Sequence, residues 1–248
     1  MTGKWGPWHL ALCALPVVAV VAAYLLFDPL PQSLAYHDFA DRRAWLGIPN
    51  FADVCSNLAF LLVGAVGLRH CLLRRPAGAR LAWTVFFAGV VLIAFGSAYY
   101  HWAPGNGTLV WDRAAMMVAF MALFVALWSE HVDARLERNL LVPALVAGIG
   151  MVLYWHAFDD LRLYFVLQGV VFSSALLLAA GFESPFRQKR AVLTALALYA
   201  AAIVVEQLDR PVFALTGGTV SGHTLKHVIA ALAAYWIYRM LRARPEAA

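Results

Sequence analysis

Five side chains from three separate stretches of the chain have the types and spacing to do chemistry together. Ser97 and His101 stand four residues apart in Gly96-Ser97-Ala98-Tyr99-Tyr100-His101, and His223 and His227 do so in Ser221-Gly222-His223-Thr224-Leu225-Lys226-His227. On an α-helix that spacing puts both members of a pair on one face, about one turn apart. Asp112 follows His101 after a short stretch containing Pro104, Gly105 and Gly107. Three neutral imidazoles can hold Zn²⁺ tetrahedrally and leave the fourth position to water, as in catalytic zinc sites. Asp112 can orient a ligating histidine or take a proton from that water, and Ser97 can donate to a developing oxyanion.

Each residue alone has a plainer reading. A lone histidine at a helix end is an interfacial, hydrogen-bonded residue, Asp112 is an N-cap for the helix it opens, and Ser97 back-bonds to a helix carbonyl. The metal reading therefore depends on whether the three stretches meet.

The elements that must position them are membrane spans. Of 248 residues, 63% are apolar and 13% charged, with a mean hydropathy of +0.72. A soluble domain averages about 45–50% apolar and about 25% charged, so there are too few polar side chains here to cover a globule. The same composition excludes disorder, collagen and disulfide scaffolds. Cys13, Cys55 and Cys71 are widely spaced within apolar runs and read as small core residues. The net charge of +5 does not imply nucleic acid, because the basic residues sit between apolar blocks.

Those blocks run about Trp8–Phe27, Asp53–Leu73, Leu81–Tyr100, Asp112–Trp128, Leu140–Trp155, Leu161–Gly181, Ala191–Leu208 and Gly222–Leu241. Each suits a helix crossing about 30 Å of hydrocarbon, the shorter ones marginally. The pattern predicts an all-α polytopic bundle of eight spans. An extra N-terminal transmembrane helix (1–30) is followed by an extracytoplasmic loop (31–52), a seven-helix membrane domain (53–242) and a short tail (243–248). The first run, at about 20 residues, exceeds the 7–15 of a cleaved signal, so Ser33-Leu34-Ala35 is read as part of a retained segment rather than a cleavage site.

Lys4, Arg69, Arg74, Arg75, Arg80, Arg135, Arg138, Arg187, Lys189, Arg190, Arg239, Arg242 and Arg244 fall on one side of this topology. Arg42, Arg43, Arg113, Arg162 and Arg210 fall on the other. The bias predicts that both termini are cytoplasmic. It also brings Ser97, His101, Asp112, His223 and His227 to one depth near the extracytoplasmic face, which nothing in the amphipathic pattern requires. Ionisable groups inside a membrane are expensive and mark function.

Other polar positions carry less. His9, His37, His70, His131 and His156 read as interfacial. Glu206 reads as snorkelled, Asp209 and Arg210 as a surface pair, and Lys226 as the partner of an acid. Ser56 and Asn57 read as interhelical hydrogen-bonding residues.

With these residues in view, the chain resembles the alkaline ceramidase family, part of a wider superfamily of seven-span hydrolases that includes the adiponectin and progestin receptors. The resemblance rests on Ser56-Asn57-Leu58, Gly96-Ser97-Ala98-Tyr99-Tyr100-His101, Trp111-Asp112-Arg113 and Ser221-Gly222-His223-Thr224-Leu225-Lys226-His227, and covers Asp38 to Arg242. It implies zinc on His101, His223 and His227, catalytic support from Asp112 and Ser97, and hydrolysis of a lipid amide such as ceramide. Two features depart from the family: the extra N-terminal helix, and the segment that would hold Ca²⁺. Here the oxygen donors of that segment are Asp38, Asp41 and Asn50, with fewer carboxylates and so lower affinity expected.

The expected partners are the bilayer and a lipid substrate, with no nucleic acid and no oligomeric state implied. Sixteen Arg against three Lys point to a GC-rich bacterial source and hence an inner membrane. The alternative is a lipid-sensing, receptor-like protein with structural zinc. A transporter would need polar residues in the cytoplasmic half of the bundle, and few are there.

Overall fold

The computed structural model describes residues 18–186 and 188–246, and these are all-helical. Residues 18–26 are helical; the rest of the expected first span lies outside the described residues. A 3₁₀ turn, Leu34–His37, leads into α1 (Phe51–Ser56), α2 (Leu58–Arg74), α3 (Arg80–Trp102), α4 (Asn106–His131) and α5 (Arg135–Phe158). Then come α6 (Arg162–Gly181), α7 (Lys189–Gln207), the short α8 (Asp209–Leu215) and α9 (Gly222–Arg242).

Among the described residues, six segments are long and apolar enough to cross a membrane: Phe51–Arg74, which joins α1 to α2, and α3 to α7. At 21 residues α9 has the length, but His223, Lys226 and His227 in its first two turns lower its hydropathy. The helices α2, α3, α4, α6, α7 and α9 form a closed ring in which each packs on the next, while α5 lies outside against α4 and α6. The ring encloses a cavity of about 380 Å³.

Two elements differ from the sequence expectation. The fourth helix begins at Asn106, capped by Gly105, so Asp112 is not its N-cap but lies in the second turn, 7% exposed. The Thr108 hydroxyl donates to the carbonyls of Ala103 and Gly105 and lets the helix start early. Arg113, counted among the charges at the extracytoplasmic side, is thereby carried inside and buried, its guanidinium 4.2 Å from the Trp155 ring and 4.9 Å from the Tyr164 ring. The second span is interrupted at Asn57, where the Ser56 hydroxyl and the Asn57 amide both donate to the carbonyl of Asp53.

The 28–52 segment folds back over the end of the bundle. Asp160, between α5 and α6, accepts the N–H of Leu30, while Arg162 donates to the carbonyls of Tyr24 and Phe27. Its own ion pair with Arg162, at 2.7 Å, is nearly buried. Hydrogen bonds from Arg162 are the main cause holding the Asp160 carboxyl down at about 2. An unfolded Asp titrates near about 3.9. The stabilisation from this clamp is therefore complete above that value and lost as pH falls through the folded pKa. Thermal melts of the wild type should drop between about pH 4 and pH 2. Asp160→Asn should melt lower at neutral pH and show a shallower acid limb; an unchanged limb would remove Asp160 from the acid response.

Candidate metal centre

The N-terminus of α9 is fixed first, because a helix start inside an apolar bundle leaves N–H groups that need partners. Ser221 caps it, accepting from the Thr224 N–H at 3.0 Å. Asp209, at the start of α8, accepts the His223 N–H at 2.8 Å and holds the Ala40 N–H with its other oxygen. Asp53 of α1 accepts from the hydroxyls of Thr224 (2.6 Å) and Ser221 (3.3 Å). Two carboxylates at this end also suit the positive pole of the helix dipole. His223 and His227 then project from the first two turns of α9.

His101, at the end of α3, meets them. Its backbone carbonyl accepts from the Asn50 amide at 2.8 Å. All three rings are buried, and their nearest ligand atoms lie within 4.8 Å of one another. Nε2 of His101 is 3.2 Å from Nε2 of His223. Zinc–nitrogen bonds of 2.0–2.1 Å at tetrahedral angles put two ligating nitrogens about 3.3 Å apart, so this pair already has the separation a shared ion needs.

The third ring is oriented from outside. His227 Nδ1 lies 2.7 Å from the Ser56 hydroxyl, whose single proton goes to the Asp53 carbonyl at 3.0 Å. Ser56 must therefore accept from Nδ1–H, which leaves the Nε2 lone pair for a metal. Phe39, from the folded-back segment, covers His101 and His223 with ring centroids 4.8 and 4.6 Å away.

Ser97 and Asp112 line the central cavity together with His227, the Ser97 hydroxyl beside the Asp112 carboxyl across the α3–α4 contact. Gly96 permits that approach: a Cβ there would lie 2.6 Å from the Trp111 carbonyl oxygen and 3.3 Å from the Asp112 nitrogen. Gly222 does the same for α9, since its Cβ would meet the Val205 carbonyl at 2.3 Å.

Glu206 is not snorkelled. It lines the cavity, binds Lys226 in the ion pair expected for that lysine, accepts from the Tyr36 hydroxyl at 3.3 Å, and stands 3.8 Å from His223 Nδ1. Asp209 and Arg210 are not a surface pair either: Asp209 is committed to backbone N–H groups, and Arg210 binds Asp38 at 2.6 Å. Sequence reading missed Asp53, Glu206 and Asp209 as supports of the site, because only the packing of α1, α7 and α8 on α9 relates them to the histidines. His37 is likewise no plain interfacial residue, being bound to the Tyr100 hydroxyl and the side-chain Oδ1 of Asn106 at 2.8 and 2.9 Å.

The three side chains considered for Ca²⁺ each have a protein partner. Asp38 is shared between Arg42 and Arg210, Asp41 is paired with Arg43 at 2.6 Å, and the Asn50 amide is engaged with His101. The Arg43 hydrogen bonds hold the Asp41 carboxyl below the usual range. Among the described residues, the group of His, Cys, Asp or Glu side chains able to hold a metal ion is His101, His223 and His227.

What fold and site define is an all-helical bundle with helices long and apolar enough to cross a membrane and a buried three-histidine group able to hold a metal ion. No protein-family model and no curated protein matches the chain.

Two variants test this geometry. Ser56→Ala should weaken zinc binding by about 10–100-fold, the usual cost of removing a partner that orients a ligating histidine. A chelator competition titration of the purified protein reads this, and unchanged affinity would mean that Ser56 does not set the His227 ring. Gly96→Ala should destabilise the bundle by about 1–3 kcal/mol through overpacking against main chain. The corresponding change at Gly150, where a Cβ meets nothing within 4 Å, should be neutral in the same unfolding assay.

Proposed function

We propose that this protein is a zinc-dependent intramembrane hydrolase that cleaves the amide bond of a ceramide-like lipid. The observation that carries the proposal is the convergence of three buried imidazoles, one of which, His227, shares an apolar cavity with the Asp112 carboxylate and the Ser97 hydroxyl. The proposal includes eight spans with both termini cytoplasmic and the histidines toward the extracytoplasmic face, as the arginine bias requires. The metal-free geometry favours zinc, because three imidazole donors with an open position are its catalytic ligand set.

When bound, the ion acts as a Lewis acid and brings the pKa of water toward ~7. The protein does the rest. Phe86, Phe120 and Ile237, with the other apolar residues of the ring, receive the acyl chain and exclude bulk water from the reacting carbonyl. Asp112 accepts the proton of the attacking water and delivers it to the leaving amine, a transfer an amide needs because an unprotonated amine anion leaves poorly. Ser97, on the same cavity wall as Asp112, donates its hydroxyl proton in a hydrogen bond to the oxyanion that forms as the carbonyl carbon becomes tetrahedral. Lys226, paired with Glu206 on the cavity wall, offers with it a polar contact for the headgroup.

Purified protein incubated with a ceramide should release sphingoid base and fatty acid, and His223→Ala should lose both bound zinc and turnover. Asp112→Asn should keep its zinc while turnover falls by about 10²–10⁴-fold. Bound lipid with stoichiometric zinc and no product from the wild type would replace the hydrolase with a lipid-sensing protein whose metal is structural.

A further inference from the structure

The opposite end of the bundle holds a second cavity that the proposed reaction does not use. It lies between the last turns of α2 and α9, has a volume of about 840 Å³, and is lined by Arg69, His70, Arg74, Tyr238, Arg242 and Arg244. One side is closed by the chain end: the Ala77 N–H donates to the Pro245 carbonyl at 2.9 Å, and Pro76 pairs with Glu246.

Its charges are unbalanced. Arg244 is neutralised by Glu130 at 2.5 Å, and Arg74 is held by Glu246 at 3.4 Å. Arg69 and Arg242 have no acidic partner among the described residues. Nε2 of His70 is buried without a hydrogen-bond partner, its ring set edge-on to Tyr238 at 5.7 Å. A buried polar nitrogen left unpaired is costly, and here it shares a pocket with two uncompensated guanidiniums. Beside them, Val66 and Leu73 on the same wall are 48% and 64% exposed.

Each feature selects the same ligand. Two guanidiniums and an imidazole N–H suit phosphate oxygens through charge-assisted hydrogen bonds. The exposed Val66 and Leu73 suit an acyl chain and would be wasted on a soluble anion. A basic pocket between helices at the arginine-rich end lies where anionic lipid headgroups are found. We infer that this pocket binds the phosphate headgroup of an anionic phospholipid from the adjoining leaflet. The inference is independent of the zinc site.

The test uses the full-length protein in phosphatidylcholine bilayers doped with phosphatidylglycerol, with the lipids retained after detergent extraction read by native mass spectrometry. Wild type should retain phosphatidylglycerol in preference to phosphatidylcholine. Arg69→Gln with Arg242→Gln should lower the retained phosphatidylglycerol roughly tenfold or more. Arg42→Gln with Arg210→Gln, which removes two cations at the other end, should leave it unchanged. Added inorganic phosphate should not displace the lipid. If the double variant does not fold, His70→Phe keeps the ring and every arginine, and should still reduce retention two- to threefold. Equal retention of the two lipids, retention unaffected by the Arg69/Arg242 or His70 changes, or displacement by inorganic phosphate would each overturn the inference.

Discussion

Polar groups held inside an apolar bundle must find one another, and the rest of this structure follows from that constraint. Water cannot solvate an N–H, an imidazole or a carboxylate at the centre of a helix ring, and an unpaired one costs free energy comparable to a lost hydrogen bond or more. The first two turns of α9 bring the helix N–H groups, two histidines and a lysine into that environment. Asp53, Asp209, Glu206, Ser221 and Ser56 are drawn to them from four other elements. The metal-binding geometry is therefore part of what sets the positions of α1, α7 and α8 against α9. His101 and His223 turn their Nε2 atoms toward each other, 3.2 Å apart, while His101 Nδ1 is buried without a hydrogen-bond partner.

The same constraint acts at the opposite end with a different outcome. Glu130, buried at the end of α4, accepts from the Trp83 indole, the Ala79 N–H and both terminal nitrogens of Arg244. That network is satisfied nearly throughout and latches the chain's last residues onto the bundle. It is a structural device whose acid is saturated with donors, although Arg244 keeps a buried Nε without a partner. The histidine end leaves converging acceptors open. Saturation against residual capacity separates a scaffold from a site more sharply than burial does, since both ends bury charged residues.

This distinction explains how much was legible in the sequence. His101, His223, His227, Ser97 and Asp112 could be brought together from sequence because helix spacing and alternating span direction are both periodic properties. The helices themselves were legible from apolar run length, to within a few residues at most ends. Asp112 was misplaced within its helix because the Thr108 side chain, rather than the aspartate, supplies the local hydrogen bonds that let α4 begin at Asn106. Glu206, Asp209 and Asp53 carry no such periodic relation to the histidines. Their roles come from the sideways packing of helices, and an acid near a span end looks alike whether it snorkels outward or turns in. Asp38 and Asp41 were open to a calcium reading because sequence proximity shows oxygen donors but not the arginines that take them.

A conflict between levels in α9 follows from the same reasoning. Six segments are apolar enough to insert by composition, whereas the helix that carries two of the three imidazoles is not. Insertion favours Leu and Ile where this helix places His223, Lys226 and His227, and sequences that specify one structure usually depart from local consistency at functional positions. The departure is tolerable because those three side chains turn toward the ring interior, where Glu206 neutralises the lysine and Ser56 binds His227. The exposed residues Val228, Leu232 and Tyr235 keep the opposite side of the helix apolar. A polar stripe on one face of a helix held between two apolar neighbours is costly to keep for packing alone. A residual, uncompensated affinity for a cation on that stripe is a physical reason for it to be there.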